Sequence, residues 1–68
     1  MEIKIITETI KLSQLLKYSG VTMSGAEAKI MIKQGDVKVN NVIETAPGRQ
    51  ISYNDIVEIG RNKIIIKK

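Results

Sequence analysis

The chain has no cysteine, no histidine, no phenylalanine and no tryptophan. Each absence removes a class of chemistry. Without Cys there is no disulfide to staple a short chain and no thiolate to hold a metal, so the usual supports of a small domain are missing. Without His or Cys, the commonest general base and the strongest side-chain nucleophile are also gone. The seven carboxylates are scattered with no pair at a spacing that suggests a site, and Ser13, Ser19, Ser24 and Ser52 have no evident base. Gly20, Gly25 and Gly35 are separated turn glycines, not a phosphate loop. The expectation is a protein that is not an enzyme and that takes no metal, cofactor or small-molecule substrate. Tyr18 and Tyr53 are the only aromatics, too few for a platform on which single-strand binders stack bases. No apolar run reaches the roughly 18 residues of a membrane span, and the opening MEIKIIT lacks the long apolar segment and cleavage site of a leader. A cytoplasmic protein with no membrane partner is expected.

What is present is aliphatic and basic. Sixty-eight residues with 43% hydrophobic content suffice for one core, although a chain this short buries only ~60% of the surface its unfolded form exposes. One monomeric domain over residues 1–68 is expected. The net charge of +4 favours an anionic partner. Its distribution is more telling than its size. Between residues 11 and 40 five lysines stand against Glu27 and Asp36, and residues 61–68 hold Arg61, Lys63, Lys67 and Lys68 with no acid.

The stretch 11–41, KLSQLLKYSGVTMSGAEAKIMIKQGDVKVNN, is the most informative. Leu12, Leu15 and Leu16 have the i, i+3, i+4 spacing of a buried helical stripe, and Ala28, Met31 and Ile32 repeat it. Ser24 with Glu27 predicts a capping box, in which the hydroxyl takes the third amide and the carboxylate returns to the cap amide. Met23 and Ala28 occupy the staple positions around it. Gly35 ends the second helix, which is expected over about residues 25–34, because glycine adopts a left-handed conformation without steric cost. Val37-Lys38-Val39 alternates as a strand, and Asn40-Asn41 suits a tight turn.

The rest reads as β. Glu2 to Thr7 is a strand with Ile3 and Ile5 on one face, and Thr45 to Gln50 is a loop around Pro47-Gly48. Tyr53-Asn54-Asp55 turns into Ile56-Val57-Glu58-Ile59. Gly60-Arg61-Asn62 then reverses into Lys63 to Lys67, whose register is open because Ile64 to Ile66 do not alternate. The class is α+β: two short helices, helix-turn-helix-like, on a small, mostly antiparallel sheet.

Ser24-Gly25-Ala26-Glu27-Ala28-Lys29, then Ile32-Lys33-Gln34-Gly35-Asp36-Val37-Lys38-Val39-Asn40, resembles the RNA-binding domain first named from ribosomal small-subunit protein four, the S4 or alpha-L domain. Lys11-Leu12-x-x-Leu15-Leu16-Lys17 matches its first helix. The chain is most similar to the small stand-alone bacterial members. Many members carry an arginine after the capping serine where this chain has Gly25, and the usual Asn-Gly turn is here Asn40-Asn41. The resemblance implies a reader of structured ribosomal or transfer RNA.

Ten residues are candidates for RNA contact. Lys29 and Lys33, four apart, share one face of the second helix and suit phosphates. Lys11 and Lys17 add charge on the first, although Lys17 also complements that helix's dipole. Ser24 is chiefly a cap, Gly25 takes the family's arginine place, and Gln34 can offer an amide or simply be exposed. Lys38 faces solvent opposite Val37 and Val39, and Asn40 is better suited to forming the turn than to contacting a ligand. Arg49 offers a planar fork for phosphate. With so little aromatic surface, recognition should rest on backbone and shape.

Three alternatives compete with this reading. A DNA-binding helix-turn-helix docks a longer recognition helix and has no use for the hairpin. A sulfur carrier of β-grasp type needs a terminal Gly-Gly, whereas this chain ends Ile66-Lys67-Lys68. A protein-interaction adaptor, its basic face meeting an acidic partner, is the serious rival.

Overall fold

Leu12, Leu15 and Leu16 lie wholly buried along α1 (Leu12–Tyr18) in a computed structural model that describes residues 1–68. Lys11 gives this helix no side-chain cap. Two carbonyls from a distant loop do the work instead: Arg49 accepts from the Leu12 amide at 2.9 Å and Pro47 from the Ser13 amide at 3.1 Å. Two of the donors that every helix start leaves orphaned are thereby satisfied through tertiary structure.

In α2 (Gly25–Lys33), the Ser24 hydroxyl accepts from the Glu27 amide at 3.1 Å, as the sequence predicts. The return bond from the Glu27 carboxylate does not form, so only half of the capping box is present. The expected staple fails as well, because Met23 is 92% exposed. Thr22 turns inward in its place. It is buried, with its amide on the Leu16 carbonyl at 3.3 Å and its hydroxyl on the Ser24 carbonyl at 3.1 Å. Ala28 and Ile32 are fully buried, whereas Met31 is half-buried at the margin of the core. At the far end, Asp36 and Gly35 donate to Met31 and Ile32 in the paired pattern of a Schellman motif, with Gly35 at φ 83°.

The helices cover one face of a five-stranded sheet. Its members are β1 (Glu2–Lys4), β3 (Val37–Val39), β4 (Val42–Ile43), β6 (Ile56–Ile59) and β7 (Asn62–Lys67), in the order β1-β7-β6-β3-β4. Only β1 and β7 run parallel. Asn40 and Asn41, at φ 51° and 70°, make the two-residue turn of the first hairpin. The pairing of Ile59 with Asn62 fixes the other hairpin's register, so Ile64 and Ile66 point inward and Ile65 lies on the outer face beside Ile56. β1 is shorter than the predicted strand, although Ile5 is still buried and bonds to Lys67.

A second sheet escaped the sequence pattern: β2 (Thr9–Lys11) pairs antiparallel with β5 (Gln50–Ser52). It takes Lys11 out of the first helix and Gln50 out of the predicted loop. Ile51 joins the helix leucines and the inward valines and isoleucines of the large sheet in one aliphatic core. No helix is long and apolar enough to cross a membrane.

Candidate nucleic-acid interface

α1, the start of α2 and the loop before β5 enclose an open cleft of about 580 Å³. The same two carbonyl bonds that cap α1 hold Pro47 and Gly48 as its wall. Four of the ten candidates line it: Lys11 from the end of β2, Lys17 from the last turn of α1, and Gly25 and Lys29 from α2. No carboxylate lines it, so three ammonium groups face one concavity with nothing of opposite sign to offset them.

The other six candidates lie elsewhere or are already engaged. Ser24 spends its hydroxyl on the Glu27 amide beside the cleft. Lys33 and Gln34 are exposed at the opposite end of α2. Lys38 shares a cross-strand row with Ile43 and Glu58 on the face of the sheet that the helices leave uncovered. That row is separated from the cleft by the whole core, so Lys29 and Lys38 cannot sit on one flat surface. Alternation along β3 places Lys38 in solvent but does not say which solvent.

Asn40 is exposed, yet its side chain is bonded at both ends: Nδ2 donates to Asp55 at 3.0 Å and Oδ1 accepts from the Ile56 amide at 2.9 Å. Arg49 is also partnered, its guanidinium 2.6 Å from a Glu44 oxygen. The hydrogen bond from Arg49, followed by that from the Ala46 amide, holds the Glu44 carboxyl below its ordinary range. An RNA phosphate would have to compete with that carboxylate for the fork.

Ser13, Gln14, Ala26, Pro47 and Gly48 line the cleft without being among the ten candidates. Ser13 was legible in principle. It sits three residues before Leu16, at the edge of the buried stripe, where a small polar residue between leucines is anomalous.

The S4 domain family model matches residues 3–67. The chain is 40% identical over 57 residues to the Bacillus subtilis (strain 168) protein named "Probable ribosome maturation protein RlbA", spanning 84% of this chain and 80% of that one. It is 50% identical over 36 residues to YbcJ of Escherichia coli (strain K12), spanning 53% of this chain and about half, 51%, of YbcJ. The solution structure of YbcJ from E. coli, described as revealing an alpha-L motif involved in RNA binding, matches with a TM-score of 0.76 at 29% identity. That match covers 98% of this chain and 86% of that one.

Proposed function

This chain belongs to the S4 domain family, and on that premise we propose that it binds structured RNA, ribosomal or transfer RNA, as a non-enzymatic monomer in the cytoplasm. The lysine-lined cleft between α1 and α2 is the centre of the binding face, with Lys33 and Gln34 extending it along α2. The observation that carries the reading is the convergence of Lys11, Lys17 and Lys29 on one concavity free of carboxylates. Such a surface neutralises phosphates and releases their counterions. It presents no aromatic platform, since Tyr53 donates its hydroxyl to the Thr7 carbonyl and Tyr18 stands alone at the end of α1. The recognition it favours is therefore of backbone spacing and shape.

The test is a comparison of three probes of equal length at moderate salt: a hairpin RNA, an unstructured RNA strand and duplex DNA of the stem sequence. The hairpin should bind best, and shuffling the stem sequence should matter far less than melting it. Preference for the unstructured strand would overturn the reading. Binding of no RNA at low salt, together with binding to an acidic protein surface, would favour the adaptor instead.

A further inference from the structure

Ser13 is the one serine whose hydroxyl is left without a partner. Ser19 donates to Leu16, Ser24 accepts from Glu27 and Ser52 donates to Asp55. Ser13 is only 7% exposed, yet no side-chain oxygen in the protein is both sealed from solvent and unbonded. The hydroxyl therefore keeps some accessible surface, and the cleft is the cavity that Ser13 lines. A hydroxyl on a nine-tenths-buried residue usually finds a partner in the fold; this one has none, and it belongs to a residue that lines the cleft.

The start of α2 faces the same cleft with two more unspent donors. The Glu27 amide is taken by the Ser24 hydroxyl and the Ala28 amide by the Ser24 carbonyl, which leaves the Gly25 and Ala26 amides free. Both residues line the cleft. The corresponding amides of α1 are consumed by Pro47 and Arg49, so of the two helix starts only that of α2 keeps its first two amides free. Gly25 itself is not required by packing or backbone: a Cβ there would meet nothing within 4 Å, and its φ is not in the left-handed range.

From these donors we infer that the cleft is a built subsite for one tetrahedral phosphate, held by the Ser13 hydroxyl and the Gly25 and Ala26 amides and neutralised by Lys11, Lys17 and Lys29. The inference rests on the RNA-binding reading for the source of that phosphate, a single phosphodiester of the RNA backbone; free inorganic phosphate offers the same chemistry. The helix terminus supplies oriented donors, the lysines supply charge, and Ser13 fixes the group in register.

Two neutral substitutions test the donors separately from the charge. Ser13→Ala removes the hydroxyl. Gly25→Pro removes one amide at the first helical position, where proline is well accommodated, behind a Ser24 already extended at φ −147°, ψ 162° as the residue before proline requires. Each should weaken binding of a hairpin RNA by about three- to tenfold without lowering the melting midpoint, which Gly25→Pro should if anything raise. Neither carries charge, so the log–log salt slope should stay at the wild-type value. In ¹⁵N–¹H spectra of the full chain, the Ala26 amide should move on saturation with the hairpin. Wild-type affinity in both variants, or a stationary Ala26 amide, would overturn the subsite and leave RNA binding standing. If wild-type protein binds no hairpin, titration with inorganic phosphate decides the subsite alone. Saturable movement of Gly25 and Ala26, lost in Ser13→Ala, would sustain it, and no movement would refute it.

Discussion

Asn40 and Asp55 are tied side chain to side chain at 3.0 Å, and the other end of the Asn40 amide takes the Ile56 N–H at 2.9 Å. The turn of the first hairpin is thus fastened to the start of β6, whose neighbour it is in the sheet. Asn40→Gly keeps the positive φ and deletes only the side chain. It should cost about 1–2 kcal/mol, measured as a lower urea midpoint. RNA affinity of the folded variant should not change.

Asp55 gives stability a pH dependence. Burial opposes its ionisation, but the Ser52 amide at 2.8 Å, the Asn40 amide and the Ser52 hydroxyl outweigh it and hold the carboxyl below its ordinary range. A carboxyl whose pKa is lowered on folding stabilises the native state above its unfolded pKa, ~3.9, and loses that contribution as pH falls through the folded value. Denaturant midpoints should therefore be flat above about pH 5 and fall below about pH 4. Asp55→Asn should lose part of that acid dependence. Glu44 acts in the same sense through Arg49.

The two apolar residues at the middle of α2 should separate cleanly. Ile32 is fully buried, and Ile32→Ala should cost roughly 2–5 kcal/mol. Half-buried Met31 leaves a smaller void, so Met31→Ala should cost about 1–2 kcal/mol. Equal losses in chemical denaturation would show that α2 packs in a different rotation.

Lys29 and Lys38 test which face the RNA meets. Lys29→Ala should weaken hairpin binding and make the log–log salt slope shallower by roughly 0.7–0.9 for the lost phosphate contact. Lys38→Ala, on the uncovered face of the sheet, should change neither quantity. The reverse pattern would move the interface across the sheet.

Arg49 can be freed without being touched. Glu44→Gln removes the charge that holds the guanidinium at 2.6 Å. If RNA uses this fork, affinity should rise about two- to threefold, in line with the modest worth of an exposed ion pair, and Arg49→Ala in the same background should cancel the rise.

The central motif was legible because its signals are local. Ser24 caps, Gly35 stops and Asn40-Asn41 turns through conformational preferences that need no partner. Two local expectations still failed, the Met23 staple and the Glu27 return bond; the other misses depend on distance. β2 and β5 are three residues each and meet only because the chain between them has folded, so neither carries a period long enough to notice. The cap of α1 is a pair of backbone carbonyls, which no side-chain pattern announces. The candidate site divides along the same line. Helical spacing placed Lys29 on a solvent face, but only the packed sheet shows that Lys38 points the other way. Asn40 reads as a turn residue and serves as a strut as well.

The parallel pairing of β1 with β7 bears on how the chain is made. β7 comes last in chain order yet lies between β1 and β6. Until its residues have emerged from the ribosome, β1 has no neighbour in the sheet, and the hairpin partner of β6 does not exist. Ile64 and Ile66, both fully buried, are likewise the last residues of this core in chain order. A vectorially growing chain can form α1, α2 and the first hairpin, but the pairing of β1 with β7 must wait until β7 has been made. The sheet is therefore closed by a sequence-distant pairing, the kind of contact that slows folding because its loop entropy must be lost first.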